Sequence, residues 1–226
     1  ESRNQHSEVV LSWVRWVMVH KHDLTAPAPE TVVPELPAVV GVQQLAVPRF
    51  LQAAQLDSHV TGSTRLWNDY QAGERINHPA GMTVDESDHT LATKLYQNNA
   101  RLHFDALMMK DSTFGHRLMY GGHVISVCRA LSYDGLENAL SIVAINGGTH
   151  CNPSFGGDTF YAVTEVLEKW TLPGHDDLGA LRLRLLGLKN LPGGELAHPR
   201  VEENGKSVYH PNVVLDLDYT VLMPRR

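Results

Sequence analysis

The chain has 226 residues, a hydrophobic fraction of 42%, a charged fraction of 19% and a formal net charge of −6. This is an ordinary globular composition, enough for one domain or one and a half small ones. The mild acidic balance, with no block of like charge, argues against nucleic acid as the main partner. No apolar run approaches the ~20 residues of a membrane helix, so no membrane partner is expected either.

The chain opens at Glu1, close to a strand-like run, and lacks an initiator Met. We therefore expect an N-terminal portion to be missing and draw nothing from the lack of a targeting segment. Cys128 and Cys151 read as two reduced thiols, which fits a cytoplasmic location.

Glu8–Val19 reads as a strand apolar on both sides. Val10, Ser12, Val14, Trp16 and Met18 share one face, and Val9, Leu11, Trp13, Arg15, Val17 and Val19 the other. Such a strand needs partners along each edge. Residues 24–48 carry Pro27, Pro29, Pro34, Pro37 and Pro48 and read as a stiff linker. Arg49–Arg65 has weak helical character. Trp67–Met82 reads as a lead-in loop and a short strand. Thr83-Val84-Asp85-Glu86 has capping-box spacing with Thr83 as N-cap. The helix it opens places Leu91, Ala92 and Leu95 on one face and should end at the turn-forming pair Asn98-Asn99.

Phe104–Lys110 adds a helical turn or two. A helix opens at Gly121-Gly122 and runs to about Tyr133, where Asp134-Gly135 stops it. Strands follow at Leu140–Ile145, Thr159–Trp170, Leu181–Lys189 and Val213–Met223. A loop rich in Pro and Gly separates the last two, with Pro192-Gly193-Gly194 and Pro199. Helices first and antiparallel-looking strands afterwards imply an α+β fold. No internal repeat is visible.

Candidate chemistry gathers between Leu95 and His123. His103 is a possible base and Asn98, five residues earlier, a polar partner. In one continuous helix their side chains would diverge by roughly 140°, so they converge only if the helix breaks, as Asn98-Asn99 allows. Asn98 serves equally well as a helix C-cap. A helix opening at Gly121 or Gly122 presents free backbone N–H groups; the same glycines also suit tight packing. A base, a polar partner and an N–H trap together suggest chemistry on a carbonyl compound. His20 and His22 share a strand face, but no third ligand at metal spacing accompanies them. Gly156-Gly157-Asp158 lacks the Lys-Ser/Thr of a phosphate loop, and no Ser stands in a nucleophile elbow.

These residues also carry a resemblance. Asn98 and His103 keep the spacing of the catalytic Asp and His of the MaoC-like hotdog hydratases, and Gly121 follows His103 at that family's interval. Trp67–Glu74 and Asn152–Thr159 match as well, so the likeness covers roughly residues 66–170. Leu95–His103, Tyr120–His123, Ala144–Gly148 and Val214–Tyr219 resemble more closely the branch that hydrates 2-methylfumaryl-CoA to β-methylmalyl-CoA.

The resemblance implies a hotdog fold, an antiparallel sheet wrapped around a central helix, as the C-terminal half of a double hotdog. Residues 1–23 would then be the closing strand of an incomplete first hotdog, 24–65 the linker and weakly helical segment, and 66–226 the second hotdog. The implied enzyme is a hydro-lyase with an acyl-CoA substrate. It needs no metal or other cofactor, CoA being part of the substrate. It would be a homo-oligomer or pair with the missing N-terminal hotdog.

Residue 98 departs from the family's Asp. An amide takes no proton at neutral pH, so Asn98 would position water and His103 would take the proton. Gly121 and Gly122 would hold the thioester oxygen. Arg101 and Arg117 would meet the substrate carboxylate, unless they are solvated surface charges. Tyr120 and His123 would line the pocket. An acyl-CoA thioesterase on the same fold, or a non-catalytic module that binds CoA esters, remains as an alternative.

Overall fold

The computed structural model describes residues 1–16 and 21–226. Two compact units divide it, Glu1–Leu36 and Pro37–Arg226. In the first, β1 (Ser2–Arg3) pairs antiparallel with β2 (Val9–Leu11). The Asn4 side-chain oxygen holds the turn, accepting from the N–H groups of His6 (2.9 Å) and Glu8 (3.0 Å). The long strand expected over Glu8–Val19 is thus reduced to three residues. Ser12–Trp16 has no regular structure, and the rest lies outside the described residues. Within this unit no further described strand joins the pair. A segment apolar on both faces extends only where both faces and edges are covered. Val10, Leu11, Trp13 and Trp16 are accordingly exposed.

The expected boundaries at 23/24 and 65/66 also differ from the observed division, which falls after Leu36. Val42, Leu45, Val47 and Leu51 pack with Ala53, Leu172, Leu178, Ala180 and Leu222. The second half of the Pro-rich stretch is therefore part of the domain, because its apolar residues find cover on the sheet. The weakly helical segment supplies only one α turn, α1 (Ser58–Thr61), closed by Gly62 at φ 73°.

The main sheet has five antiparallel strands in the order β3-β5-β6-β9-β4. They are β3 (Arg75–Thr83), β4 (Ser141–His150), β5 (Thr159–Thr171), β6 (Leu178–Lys189) and β9 (Val213–Pro224). β3 lies at an edge, which tolerates Pro79, and its register shifts between His78 and Met82. The loop before β9 holds a short hairpin that the sequence did not reveal, β7 (Arg200–Glu203) with β8 (Lys206–Tyr209).

Alternation along β6 and β9 sorts residues to two faces. Leu181, Leu183, Leu185, Leu217, Tyr219 and Val221 enter the main core. The opposite face carries a half-buried charge ladder. Arg182 binds Asp218 and Glu168, and Arg184 binds Asp216 and Glu165. Arg-carboxylate pairing lets that face carry charge between the apolar pads at its two ends.

Three further helices complete the domain: α2 (Glu86–Leu95), α3 (Ala106–Met109) and α4 (Gly121–Leu131). The N-cap of α2 is Asp85, not Thr83. Thr83 is still in β3, paired with Thr159, and their hydroxyls bond at 2.7 Å. The Asp88 carboxylate accepts from the Asp85 N–H at 3.2 Å, while Glu86 turns away to Arg117. The orientation of α2 also differs from expectation. Ala92 is buried, but beside His89 and Thr93, whereas Leu91 and Leu95 are 57% and 71% exposed.

α4 buries Val124, Val127, Cys128 and Leu131, at one-face helical spacing, and lies against β3, β5 and β6. The antiparallel sheet around this helix is the hotdog arrangement that the resemblance implied. Gly187 of β6 fixes the closest approach: a Cβ there would lie 2.6 Å from Cys128 Sγ and 2.9 Å from Leu215 Cβ. Burial pushes the Cys128 thiol up to about 12, so it acts as a small apolar wedge.

Two outcomes follow. Gly187→Ala should lower stability by about 1–3 kcal/mol, as an overpacked core does, read from the urea midpoint. Adding Cys128→Ala should recover part of the loss. Separately, the 226-residue chain should self-associate through the exposed Trp13 and Trp16. Sedimentation that finds only monomer up to high concentration would contradict this.

Candidate functional site

The helix break that His103 requires is present. α2 ends at Tyr96, and Gln97 adopts φ 51°. The Asn98 N–H bonds to Thr93 O at 3.0 Å, and the Asn98 side-chain oxygen accepts from the Ala100 N–H at 2.8 Å. Asn98 therefore builds the turn itself, as an Asx turn, and its oxygen keeps one lone pair for another donor. It also lines a cleft of about 560 Å³ with Thr90, Thr93, Lys94, Gln97 and Phe104. No hydrogen bond among the described residues joins Asn98 to His103.

The chain then forms a 3₁₀ turn, Arg101–His103. His103 is half-buried, and its Nδ1 bonds to Leu118 O at 3.0 Å. A carbonyl only accepts, so Nδ1 carries the proton and the neutral ring presents Nε2 as the free, basic nitrogen. The Tyr120 ring lies beside it, centroid to centroid 5.6 Å, and Tyr96 stands 6.0 Å from Tyr120.

Tyr120 is the N-cap of α4. Its own N–H donates to Nε2 of His89 at 2.9 Å. The His123 N–H and Val124 N–H turn back to Tyr120 O. The N–H groups of Gly121 and Gly122 have no acceptor among the described residues. Both glycines are sterically demanded. A Cβ on Gly121 would meet His150 Nε2 at 2.4 Å, and one on Gly122 the Tyr120 ring at 2.6 Å.

The two arginines are already paired. Arg101 is an exposed partner of Asp105 on the same turn, at 2.6 Å. Arg117 is tied to Glu86 and donates to the Thr90 hydroxyl at 3.0 Å. His123 is half-buried, with a buried Nε2 that has no partner among the described residues. The structure thus brings His103, Tyr120, Gly121 and Gly122 together, with Asn98 in the preceding turn. Arg101 is turned to solvent and Arg117 is engaged by Glu86.

Sequence reasoning missed two histidines. His89, fully buried on α2, packs edge-on to His103 with ring centroids 6.4 Å apart. His150, at the end of β4, abuts Gly121. Among thirteen histidines no local spacing marks either one, since both reach the site only through tertiary packing.

Desolvation depresses the pKa of His89 to about 4, and the Arg117 charge adds to it. Desolvation also lowers His78, His123 and His150; Asp88 opposes the shift at His123, and His103 adds to it at His150. All four are neutral in the fold at pH 7. A depressed imidazole means that the unfolded chain binds the proton more readily, so stability is full above about 6.5 and falls toward about 4. Urea midpoints should drop steadily from pH 7 to pH 5. His89→Gln, which has no proton to gain there, should flatten part of that slope.

No family model matches the sequence. Over 223 residues the chain is 53% identical to a protein named beta-methylmalyl-CoA dehydratase from Chloroflexus aurantiacus, covering 99% of this chain and 62% of that protein. It is 50% identical over 224 residues to a protein named mesaconyl-CoA hydratase from Cereibacter sphaeroides, covering 98% of this chain and again 62% of the relative. The chain thus spans about 62% of the length of these relatives. The crystal structure of a MaoC domain protein dehydratase from Chloroflexus aurantiacus superposes with a TM-score of 0.90 at 53% identity, over 99% of this chain and 63% of that one. A Mycobacterium tuberculosis protein described as a double hotdog shares the fold alone, at 22% identity and a TM-score of 0.55, over 79% of this chain and 48% of that one. By fold the chain is a hotdog, and over nearly its whole length it is similar in sequence to these relatives and to the MaoC domain dehydratase.

Proposed function

We propose that the full protein is a hydro-lyase that reversibly adds water to 2-methylfumaryl-CoA, giving β-methylmalyl-CoA. One observation carries the reading. His103, its Nδ1–H bonded to Leu118 O, stands beside a helix start whose Gly121 and Gly122 N–H groups have no acceptor among the described residues. The names of the relatives at 53% and 50% identity support the choice of substrate.

In the hydration direction, water held against Asn98 attacks the β-carbon while His103 Nε2 takes its proton. The electron pair of the double bond moves through the α-carbon to the thioester oxygen. There the Gly121 and Gly122 N–H groups, at the positive end of α4, meet the growing negative charge. The His103 imidazolium then gives that proton to the α-carbon as the electron pair returns from the thioester oxygen, which completes the addition and restores the base. Tyr120 walls the pocket beside His103, and His123 stands one helix position beyond the glycines. Arg117, held by Glu86 and Thr90, helps keep His89 neutral. Arg101 would have to leave Asp105 to meet the substrate carboxylate. Protein side chains and backbone carry these steps, and CoA enters only as part of the substrate.

We further propose that the chain is the C-terminal half of a cytoplasmic double hotdog, with neither nucleic acid nor membrane as partner. Its companion is the N-terminal hotdog or another copy. β4 supports this. It closes one edge of the sheet, carries no charged residue or Pro, and exposes Ile142 and Ile145. An edge without such guards fits a second strand.

The test is a spectrophotometric assay of the full-length protein. Absorbance of the conjugated enoyl thioester should fall without release of free thiol; thiol release would indicate a thioesterase instead. His103→Ala should reduce turnover at least ~100-fold, as for a lost acid–base group, with the fold retained by circular dichroism. Asn98→Asp tests the departure at residue 98. A new carboxylate ~4–6 Å from the substrate carboxylate costs about 1–4 kcal/mol at intermediate dielectric. It also favours the imidazolium over the base. The variant should lose efficiency on 2-methylfumaryl-CoA and lose less, or gain, on crotonyl-CoA. An unchanged ratio between the two substrates would end the charge explanation.

A further inference from the structure

The reaction proposed above needs charge taken up at the thioester oxygen and two proton transfers, and residue 98 is an amide that carries no proton. Another polar group, His150, faces the same space. It closes β4, and its Nε2 lies 2.4 Å from where a Cβ on Gly121 would stand. The imidazole therefore lies directly against the α-carbon of the residue whose N–H is free. It is also close enough to His103 to sense that ring's charge. Arg101 and Arg117 are bound to Asp105 and Glu86, and His89 is committed to the Tyr120 N–H. His150 remains as an imidazole placed beside the trap and tied to no carboxylate.

We infer that His150 is a side-chain hydrogen-bond donor of the thioester-oxygen trap, its Nε2–H acting alongside the Gly121 and Gly122 N–H groups. This rests on the hydratase reading of the site. The chemistry suits a neutral imidazole. An N–H of modest acidity polarises a carbonyl without surrendering its proton, and a histidine kept uncharged at a helix N-terminus does this in other enzymes. Desolvation first, and His103 second, hold His150 toward that neutral form. The groups that face it are the α4 start, with Gly121, and His103. The small residue at 121 then has a double reason. It frees the backbone N–H for close approach and leaves room for the ring that shares the ligand.

The experiment uses full-length protein and [1-13C]butyryl-CoA. This thioester is saturated, so it cannot be hydrated, and it has no second carboxylate. Infrared difference spectra of the labelled carbonyl report how strongly its oxygen is hydrogen-bonded. In the wild type the band should move to lower wavenumber on binding. His150→Phe should lose part of that shift and lower kcat/KM on 2-methylfumaryl-CoA by ~100-fold, the usual scale for one oxyanion donor. His150→Gln, which keeps an N–H, should retain most of the shift and stay within about tenfold in rate.

A wild-type protein that binds butyryl-CoA with no shift would defeat the hydratase reading itself. A shifted wild type with an identical shift in His150→Phe would overturn the role of His150 alone. So would a loss confined to the dicarboxylic substrate and not seen with crotonyl-CoA, because that outcome makes His150 a carboxylate binder. If His150→Phe fails to fold, His150→Leu in the same spectrum decides.

Discussion

The first turn of α4 holds more donors than the described residues supply acceptors. A helix start must satisfy its leading N–H groups with caps, water or ligand. Here the Tyr120 N–H has His89, and the His123 and Val124 N–H groups fold back on Tyr120 O. Those of Gly121 and Gly122 are left toward the site. Much of the surrounding structure sets where this deficit lies. Gly187 lets Cys128 settle onto β6, the apolar face from Val124 to Leu131 fills the concave side of the sheet, and the helix start is thereby held beside the 3₁₀ turn that bears His103.

His103 is placed by the opposite device, an interruption. α2 is followed by Gln97 with positive φ, an Asx turn on Asn98 comes next, and three residues of 3₁₀ helix then aim the ring. The bond from Nδ1 to Leu118 O fixes the tautomer. Asn98 is structural and, in the reading proposed here, functional at once, since one side-chain oxygen has two lone pairs. An Asp in the same turn would satisfy the Ala100 N–H equally well. The amide is thus not required by the turn, and the two residues differ in charge and in the two N–H donors that only the amide has.

Much of this was legible in the sequence because it is local. The Gly121 helix, the break at Asn98-Asn99 and the four later strands follow from punctuation and periodicity, and each appears within a few residues of its expected bounds. What could not be read depends on residues far apart in the chain. His89 and His150 enter the site through packing that no spacing encodes. The segment from Val42 to Ala53 reads as a linker by its prolines, yet its apolar residues are used by the sheet. Glu8–Val19 misled in the other direction. Its pattern describes a strand buried on both sides, and a pattern cannot supply the neighbours that would bury it.

α2 shows why the wrong residues were expected inside. Its inward positions are His89 and Thr93 with Ala92, while Leu91, Leu95 and Tyr96 are exposed. Burying the leucines would have stabilised the helix more, at roughly 1.5–3 kcal/mol for each side chain removed from water. The sequence instead spends its buried face on an imidazole that holds the Tyr120 N–H and stays neutral above the Arg117–Glu86 pair. A polar residue in that position has to be matched by specific partners or it destabilises the fold. His89 is matched on Nε2 but, among the described residues, not on Nδ1, so α2 is less stable than its composition allows. The arrangement makes sense if α2 is shaped by the helix start it supports, and the apolar stripe it leaves outside is the cost of turning its polar side inward.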